Sequence, residues 1–373
     1  MDMVKLGFST LLALVACIPD GTLKYNRSTV PEELGDGWPI ATPESVGLDP
    51  AVLESLHQDL LRDDKLVGVL GLLIVKDGKL VWETYVRDPA DRDRHHHVQS
   101  VTKSVTSLAF GLAFDRGLFP SLSAPIQAFI PDALAGLDPE KGNITLDDLM
   151  TMRSGLSFNN DDFAVEMWID RPANPLRYML MKPVEAPHGT QFHYQDVNTQ
   201  IVAYILERVT GESEESLVRR QIFAPLGIAD YYWDHGPDGV TMAPHGLHLR
   251  ARDMAKLGQL MVDAGSWNGT QLVSQDWIRR ALDWHVVTLP VDPQSDGYGY
   301  YFWLLGADPV KGWYSATGAG GQYIIFSPAK KMVIVQIAMP NAKIFTPEDL
   351  NGETDGGCTA GSCSRAFELA RQF

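Results

Sequence analysis

Residues 97–112 read His97-Val-Gln-Ser-Val-Thr-Lys-Ser-Val-Thr-Ser-Leu-Ala-Phe-Gly-Leu112, and they combine a helical pattern with two reactive side chains. The apolar residues that recur at the spacing of one helix face are Val101, Val105, Leu108, Ala109 and Leu112. Ser100 and Lys103 are three residues apart, so a helix places both side chains on one face, about one turn apart. We therefore predict a buried helix that begins at Ser100 and presents this pair.

Ser100 and Lys103 can act together as a nucleophile and its base. A partly desolvated lysine can lose its proton near neutral pH, and the resulting amine can accept the proton of the Ser100 hydroxyl. The amide of a serine at a helix N-terminus is unpaired and points toward any oxyanion that forms. The alternative is an ordinary helix start with a solvated lysine, because a chain of this length carries about one chance S-x-x-K. The second match, Ser327-Pro-Ala-Lys330, lies between two β-like runs and reads as a turn.

The composition describes a loop-rich globular protein with an acidic surface. The chain has 373 residues, of which 45% are hydrophobic and 21% charged, with 33 Gly and 23 Pro. This length exceeds one average domain and can bury a large core. A net charge of -16 argues against nucleic acids and anionic membrane surfaces as partners.

The N-terminal segment resembles an export signal. Lys5 is followed by an apolar run over 6–16 that is too short to span a bilayer permanently. The run ends in Leu14-Val-Ala-Cys17, which resembles the bacterial lipobox, in which the cysteine becomes lipidated. We expect export to the periplasm or outer surface, a lipid anchor at Cys17 and a polar tether over 18–40. The alternatives are a simple secretory signal or an apolar segment with no targeting role.

The remaining cysteines and the histidine run do not predict a metal site. Cys358 and Cys363 lie in a glycine-rich loop, and in an exported protein we expect them to form a disulfide. The consecutive side chains of His95-His96-His97 point in different directions, so this run is interpreted as a loop. The chain has no His-Glu-x-x-His helix, P-loop or dinucleotide fingerprint, and no cofactor is expected.

Periodicity predicts strands near both chain ends and helices between them. The expected strands are 67–75 and 80–86, joined by an Asp-Gly turn, and 297–305, 322–326 and 332–338. Helices are expected over 49–61, through most of 100–285 and over 364–373. The predicted fold is α/β of the α+β type: an antiparallel sheet flanked by helices and built from 41–97 and 288–373, with an all-helical domain inserted over 98–287.

Four further stretches, in their order along the chain, resemble the serine β-lactamase/penicillin-binding-protein superfamily. They are Ile144–Leu156, Phe192–Gln200, Ile201–Gly211 with Ile222–Ile228, and Ser315–Tyr323. The most similar branch is the class C β-lactamase-like serine hydrolases, which includes esterases and 6-aminohexanoate oligomer hydrolases. The resemblance implies a β-lactamase/transpeptidase-like fold, and it strengthens the catalytic interpretation of Ser100 and Lys103.

The resemblance also implies roles for further residues. Tyr194 falls where the family has Tyr-x-Asn and would relay protons together with Lys103. Ala319 would supply the second oxyanion amide, beside the amide of Ser100. Both assignments follow from matched motif positions.

Four residues fall at substrate-binding positions of the family: Asp196, Ala316, Thr317 and Gly318. Two of them depart from the family pattern, since Asp196 replaces an asparagine and Ala316 replaces a lysine or histidine. In the family, the asparagine and the lysine or histidine help to hold β-lactam or peptide substrates. Their replacement here therefore favours substrates other than β-lactams.

The sequence therefore predicts a serine hydrolase that forms an acyl-enzyme with esters or simple amides. A β-lactamase or a D-alanyl-D-alanine carboxypeptidase is the alternative among enzymes. A non-catalytic peptide-binding lipoprotein with the same fold is the alternative of another class. The sequence does not fix the oligomeric state.

Overall fold

The computed structural model describes residues 29–61, 68–160, 172–288, 295–305 and 312–339. The expectations for Cys17, for the Cys358–Cys363 disulfide and for the terminal helix lie outside the described residues. Residues 29–40, which we expected to belong to a tether, pack against the body of the protein. Trp38 is buried and its indole N–H donates to the carbonyl oxygen of Arg252 at 3.2 Å.

The helices mainly occupy the middle of the chain. They are α1 Pro50–Leu61, α2 Val101–Asp115, α3 Pro131–Leu134, α4 Pro139–Gly142, α5 Leu146–Met150, α6 Pro175–Met181, α7 Asp196–Thr210, α8 Glu214–Val218, α9 Ala251–Val262 and α10 Gln275–Leu282. In the described part of the chain no helix is both long and apolar enough to cross a membrane.

Eight strands form one antiparallel sheet that joins both ends of the described chain. They are β1 Val69–Lys76, β2 Lys79–Tyr85, β8 Val286–Val287, β9 Gly297–Tyr298, β10 Trp303–Leu305, β11 Trp313–Gly318, β12 Gln322–Ser327 and β13 Met332–Ala338. The order across the sheet is β2-β1-β13-β12-β11-β10-β9-β8. Because β1 pairs with β13, the N-terminal and C-terminal halves share one sheet, and the predicted fold class is confirmed.

The two faces of this sheet are covered by different helices. Along β1, Leu73 and Val75 belong to the larger core with α2 and α9, whereas Leu72 and Ile74 pack on the opposite face with α1. This alternation is the period of two that a strand imposes on its side chains. The sheet is therefore buried on both faces.

Two small sheets have strands within 98–287, the segment that we predicted as all-helical. One contains β3 His96–His97, β4 Tyr232–Trp233 and β5 Leu247–Leu249 in the order β3-β5-β4, and the other pairs β6 Ser266–Trp267 with β7 Thr270–Gln271. The interpretation of His95–His97 as a loop is therefore wrong for its last two residues. These residues pair with β5, which lies about 150 residues further along the chain.

The strand predicted over 297–305 is interrupted. The Gly299 amide donates to Phe302 O at 2.9 Å, and the Tyr300 amide donates to Ala281 O at 3.0 Å. Tyr301 has φ 64°, in the left-handed region. A contact with the end of α10 thus imposes a turn between β9 and β10.

Candidate active site

Ser100 lies at the N-cap of α2, at the end of a tightly held loop. The preceding residue, Gln99, has φ 53°, which is uncommon for a residue other than glycine. Two hydrogen bonds fix this loop: Val98 N donates to Leu247 O at 2.9 Å, and the hydroxyl of Thr102 donates to Gln99 O at 2.7 Å. The Ser100 hydroxyl is therefore presented by a constrained backbone.

Lys103 lies one turn into α2 and is only 1% exposed. Its Nζ contacts three oxygen atoms: Ser100 Oγ at 2.8 Å, Asp196 Oδ1 at 2.6 Å and Pro244 O at 2.9 Å. An ammonium group has three N–H donors, so these contacts use all of them. Lys103 is thus accommodated as a cation in the resting site.

The pKa of Lys103 reflects opposing effects. Burial lowers the pKa of Lys103, whereas the negative charge of Asp196 and the phenol of Tyr194 raise it, and the net pKa lies above its ordinary value. A carboxylate within hydrogen-bond distance stabilises the charged form of a lysine. Lys103 is therefore paired at rest, which the Ser100–Lys103 spacing alone does not reveal.

Tyr194 lies above this pair, just before α7. Lys103 Nζ is 4.9 Å from the centre of the Tyr194 ring, and this ring packs against Trp303 with centroids 5.3 Å apart. Asn160, which the sequence did not single out, links the residues around it. Its side chain donates to Tyr194 O at 3.2 Å and accepts from the amide of Asp196 at 2.7 Å.

Gly318 brings the end of β11 against the loop that carries the nucleophile. A Cβ atom at Gly318 would lie 2.3 Å from Val98 O and 3.1 Å from Gln99 Cβ, so only glycine allows this approach. Ala319 follows directly, and both it and Ser100 line the same cleft. The two predicted oxyanion amides thus belong to residues on facing walls.

The cleft has a volume of about 580 Å³. The residues that line it are His97, Gln99, Ser100, Asn160, Tyr194, Asp196, His245, Trp303, Thr317 and Ala319. The structure therefore brings together most of the predicted site residues.

Ala316 is the exception among the predicted substrate-binding residues. Its side chain is 2% exposed and faces a small closed space between α2 and α9, beside Val105 and Gly258. Because successive side chains of β11 point to opposite faces, Thr317 points into the cleft and Ala316 points away from it. The structure therefore places Ala316 outside the lining of the cleft, and its contact with substrate stays a prediction.

Two histidines of the cleft were also missed by the sequence interpretation. The rings of His97 and His245 are stacked with centroids 6.2 Å apart, and His245 Nε2 lies 4.0 Å from Asp196 Oδ2. Burial lowers the pKa of both, that of His97 to about 4, so both rings are neutral near neutral pH. No local pattern marks them, because the pairing of β3 with β5 brings them together.

One group of side chains in the described residues could hold a metal ion. Ligand atoms of His97, Asp234 and His248 lie within 4.8 Å of one another at the edge of the cleft.

Ser100, Lys103 and Tyr194 form a second group, and their arrangement suits acyl transfer. The serine hydroxyl lies against the lysine amine, and the phenol is nearby.

Comparison with known proteins places the chain among enzymes of related chemistry. Residues 53–341 match the family model described as Beta-lactamase. Over 288 residues the chain is 26% identical to the 6-aminohexanoate-dimer hydrolase of Paenarthrobacter ureafaciens, covering 71% of each protein. It is 24% identical to the β-lactamase of Escherichia coli strain K12, covering 76% of this chain and 86% of that protein.

The fold is also similar to solved structures. The octameric penicillin-binding protein homologue from Pyrococcus abyssi superposes with a TM-score of 0.63 at 21% identity, over 79% of this chain and 74% of that one. The fold, the order of the motifs and the family match over most of the chain agree. The chain belongs to the β-lactamase family, in the hydrolase branch of the serine β-lactamase/penicillin-binding-protein superfamily.

Proposed function

We propose that the protein is a serine hydrolase that cleaves esters or simple amides through an acyl-enzyme on Ser100. The observation that carries this proposal is the position of Lys103 Nζ, within 2.8 Å of Ser100 Oγ and 2.6 Å of Asp196 Oδ1 on the floor of an open cleft. A buried lysine within hydrogen-bond distance of a serine hydroxyl is placed to act as the base for that serine once the lysine has lost its proton.

The proposed reaction begins from the form of the enzyme in which Lys103 has lost its proton to solvent. The amine then takes the proton of Ser100 as Oγ bonds to the substrate carbonyl carbon, and the amides of Ser100 and Ala319 stabilise the oxyanion. Tyr194 passes its proton to the leaving alcohol or amine as the carbonyl–leaving-group bond breaks, and Lys103 gives Tyr194 the proton that it took from Ser100. Water then attacks the acyl group by the same route and releases the acid.

The wall of the cleft favours an uncharged substrate. Of the described residues that line it, none is arginine or lysine, and Ala316 points away from it. A β-lactam or peptide carboxylate therefore meets no arginine or lysine side chain among these described lining residues. Trp303 and Tyr194 offer an aromatic surface that suits an apolar acyl group.

The experiment is a time course of p-nitrophenyl butyrate hydrolysis by wild type and Ser100→Ala, with a chromogenic cephalosporin assayed in parallel. We expect ester hydrolysis in wild type and a loss of at least about 10³-fold in the variant. The matched control is Ser107→Ala, because Ser107 lies on the same helix and its buried hydroxyl has no hydrogen-bond partner among the described residues. Efficient cephalosporin turnover would overturn the substrate preference, and an active Ser100→Ala would overturn the mechanism.

We also propose that the protein is exported and lipidated at Cys17, from the apolar run that precedes this residue. The test is metabolic labelling with a palmitate analogue in a bacterial host. Wild type should be labelled and Cys17→Ser should not, and equal labelling of both would contradict the proposal.

A further inference from the structure

We propose that His97, Asp234 and His248 form a binding site for a divalent transition metal such as Zn²⁺, and that its occupation inhibits the hydrolase. The site lies at the rim of the cleft, since His97 belongs both to this group and to the cleft wall. The inhibition rests on the proposed function, whereas the metal site does not.

The small sheet places the three side chains on one face. His97 of β3 and His248 of β5 are directly paired residues of adjacent strands, and their rings lie 4.5 Å apart. β4 pairs with β5 on its other side, and the Asp234 amide extends this ladder with a hydrogen bond to Gly246 O at 2.8 Å. Three paired segments, rather than mobile side chains on one loop, therefore set the spacing of the ligands.

The spacing and chemistry of the group suit zinc. Two neutral imidazoles and one carboxylate are common Zn²⁺ ligands, with water completing a tetrahedron. Ligand atoms bound to one tetrahedral zinc lie roughly 3.3 Å apart, from the Zn–N and Zn–O lengths. His248 Nε2 and Asp234 Oδ2 are already 3.3 Å apart, and a ligand atom of His97 lies within 4.8 Å of the ligand atoms of both.

Metal binding would disturb the backbone beside the nucleophile. The Gln99 amide donates to Nδ1 of His97 at 3.1 Å, so Nδ1 holds a lone pair and Nε2 carries the proton. If the metal binds Nδ1, it occupies the lone pair that accepts the Gln99 hydrogen bond. If the metal binds Nε2, the proton of Nε2 moves to Nδ1, which can then no longer accept. In either case the Gln99 hydrogen bond is lost, and Gln99 is the left-handed residue that precedes Ser100.

The test is calorimetric titration of chelator-treated full-length protein with ZnCl₂, followed by ester hydrolysis at the same zinc concentrations. We expect wild type to bind one zinc per chain. His248→Asn and Asp234→Asn should each weaken binding by at least about tenfold. Zinc should inhibit wild type in parallel with binding, and the inhibition should be relieved in both variants.

The matched control is His235→Asn, because His235 also pairs with a carboxylate, Glu215 at 2.9 Å, outside the group. It should bind zinc like wild type, and thermal unfolding without zinc shows that each variant is folded. Absence of binding to wild type, or unchanged affinity in both ligand variants, overturns the site. Full hydrolysis by zinc-loaded wild type overturns the inhibition through Gln99. Calorimetry needs no turnover, so the metal site can be tested even if the protein does not hydrolyse the ester.

Discussion

At the scale of single residues, the sequence predicts the nucleophile and its lysine but not the resting charge of that lysine. Ser100 and Lys103 meet because helical spacing brings them together, and this information is local. Asp196 was assigned to substrate binding from its motif position, yet its Oδ1 contacts Lys103 at 2.6 Å. A packing contact between α2 and α7 creates this ion pair, and packing between distant helices is not encoded in local spacing.

Asp196→Asn keeps the shape of the side chain and removes its negative charge. The pKa of Lys103 should therefore fall, because the ammonium loses the partner that stabilises it. If the neutral amine is the base, activity then develops at lower pH, and we expect the acid limb of the kcat/KM profile to shift downward by roughly one pH unit or more.

The measurement is the pH dependence of ester hydrolysis, with the exposed Asp132→Asn as the control. Asp132 pairs with Arg208 at the surface, so its removal should leave the limb in place. An acid limb that does not move in Asp196→Asn would show that Lys103 is not the base.

At the scale of elements, α2, the helix that Ser100 caps, is more deeply buried than its apolar stripe suggests. Residues Val101–Ala113 of α2 are all buried, including several serines and threonines. The reason is that α2 contacts α7, α8, α10 and the large sheet, so no face remains for solvent. The stripe predicted one buried face, and the surrounding elements cover the rest.

Glu214, at the start of α8, is the charged residue that this packing affects most. It is 1% exposed, and neither carboxyl oxygen makes a hydrogen bond of good geometry to a described residue, although the Thr106 hydroxyl is near enough to affect it. Burial raises the pKa of Glu214 to about 8, from 4.5 for an ordinary glutamate. The Thr106 hydroxyl lowers this pKa, but by less than burial raises it. Folding therefore takes up a proton between these values, and the stability of the protein falls as the pH rises from about 5 to 8.

Glu214→Gln should remove this pH dependence. We expect the variant to gain stability over wild type as the pH rises, with a gain of about 1 kcal/mol near pH 5 that grows to about 4 kcal/mol at pH 8. Chemical unfolding at several pH values measures the difference, with the exposed Glu140→Gln as the control. A stability difference that does not change between pH 5 and 8 would contradict a protonated Glu214.

At the scale of the whole molecule, the main sheet could be predicted because its strands have clear period-two patterns and turn residues. The Lys76-Asp77-Gly78-Lys79 hairpin and the Ser327 turn are both observed. The small sheet that carries His97 and His248 could not be predicted, since its two- and three-residue strands leave no periodicity. The turn at 299–302 could not be predicted from the sequence either, because a contact with α10 imposes it.

The pairing of β1 with β13 also makes a prediction about local stability. The amides of these two long inner strands should exchange with deuterium most slowly, since opening them separates the N-terminal from the C-terminal part of the sheet and exposes both cores. The short strands β8 and β9 at the other edge should exchange faster. Hydrogen–deuterium exchange with mass spectrometry measures this order. Slower exchange in β8 than in β13 would contradict the claim that the pairing of β1 with β13 is the most stable part of the sheet.

The most direct test of the account is the mass of the protein quenched with acid during turnover of p-nitrophenyl butyrate. If Ser100 forms the acyl-enzyme, wild type gains the mass of one butyryl group on the peptide that contains Ser100, and Ser100→Ala gains none. A butyryl group on another residue, or full turnover by Ser100→Ala, would contradict the central claim.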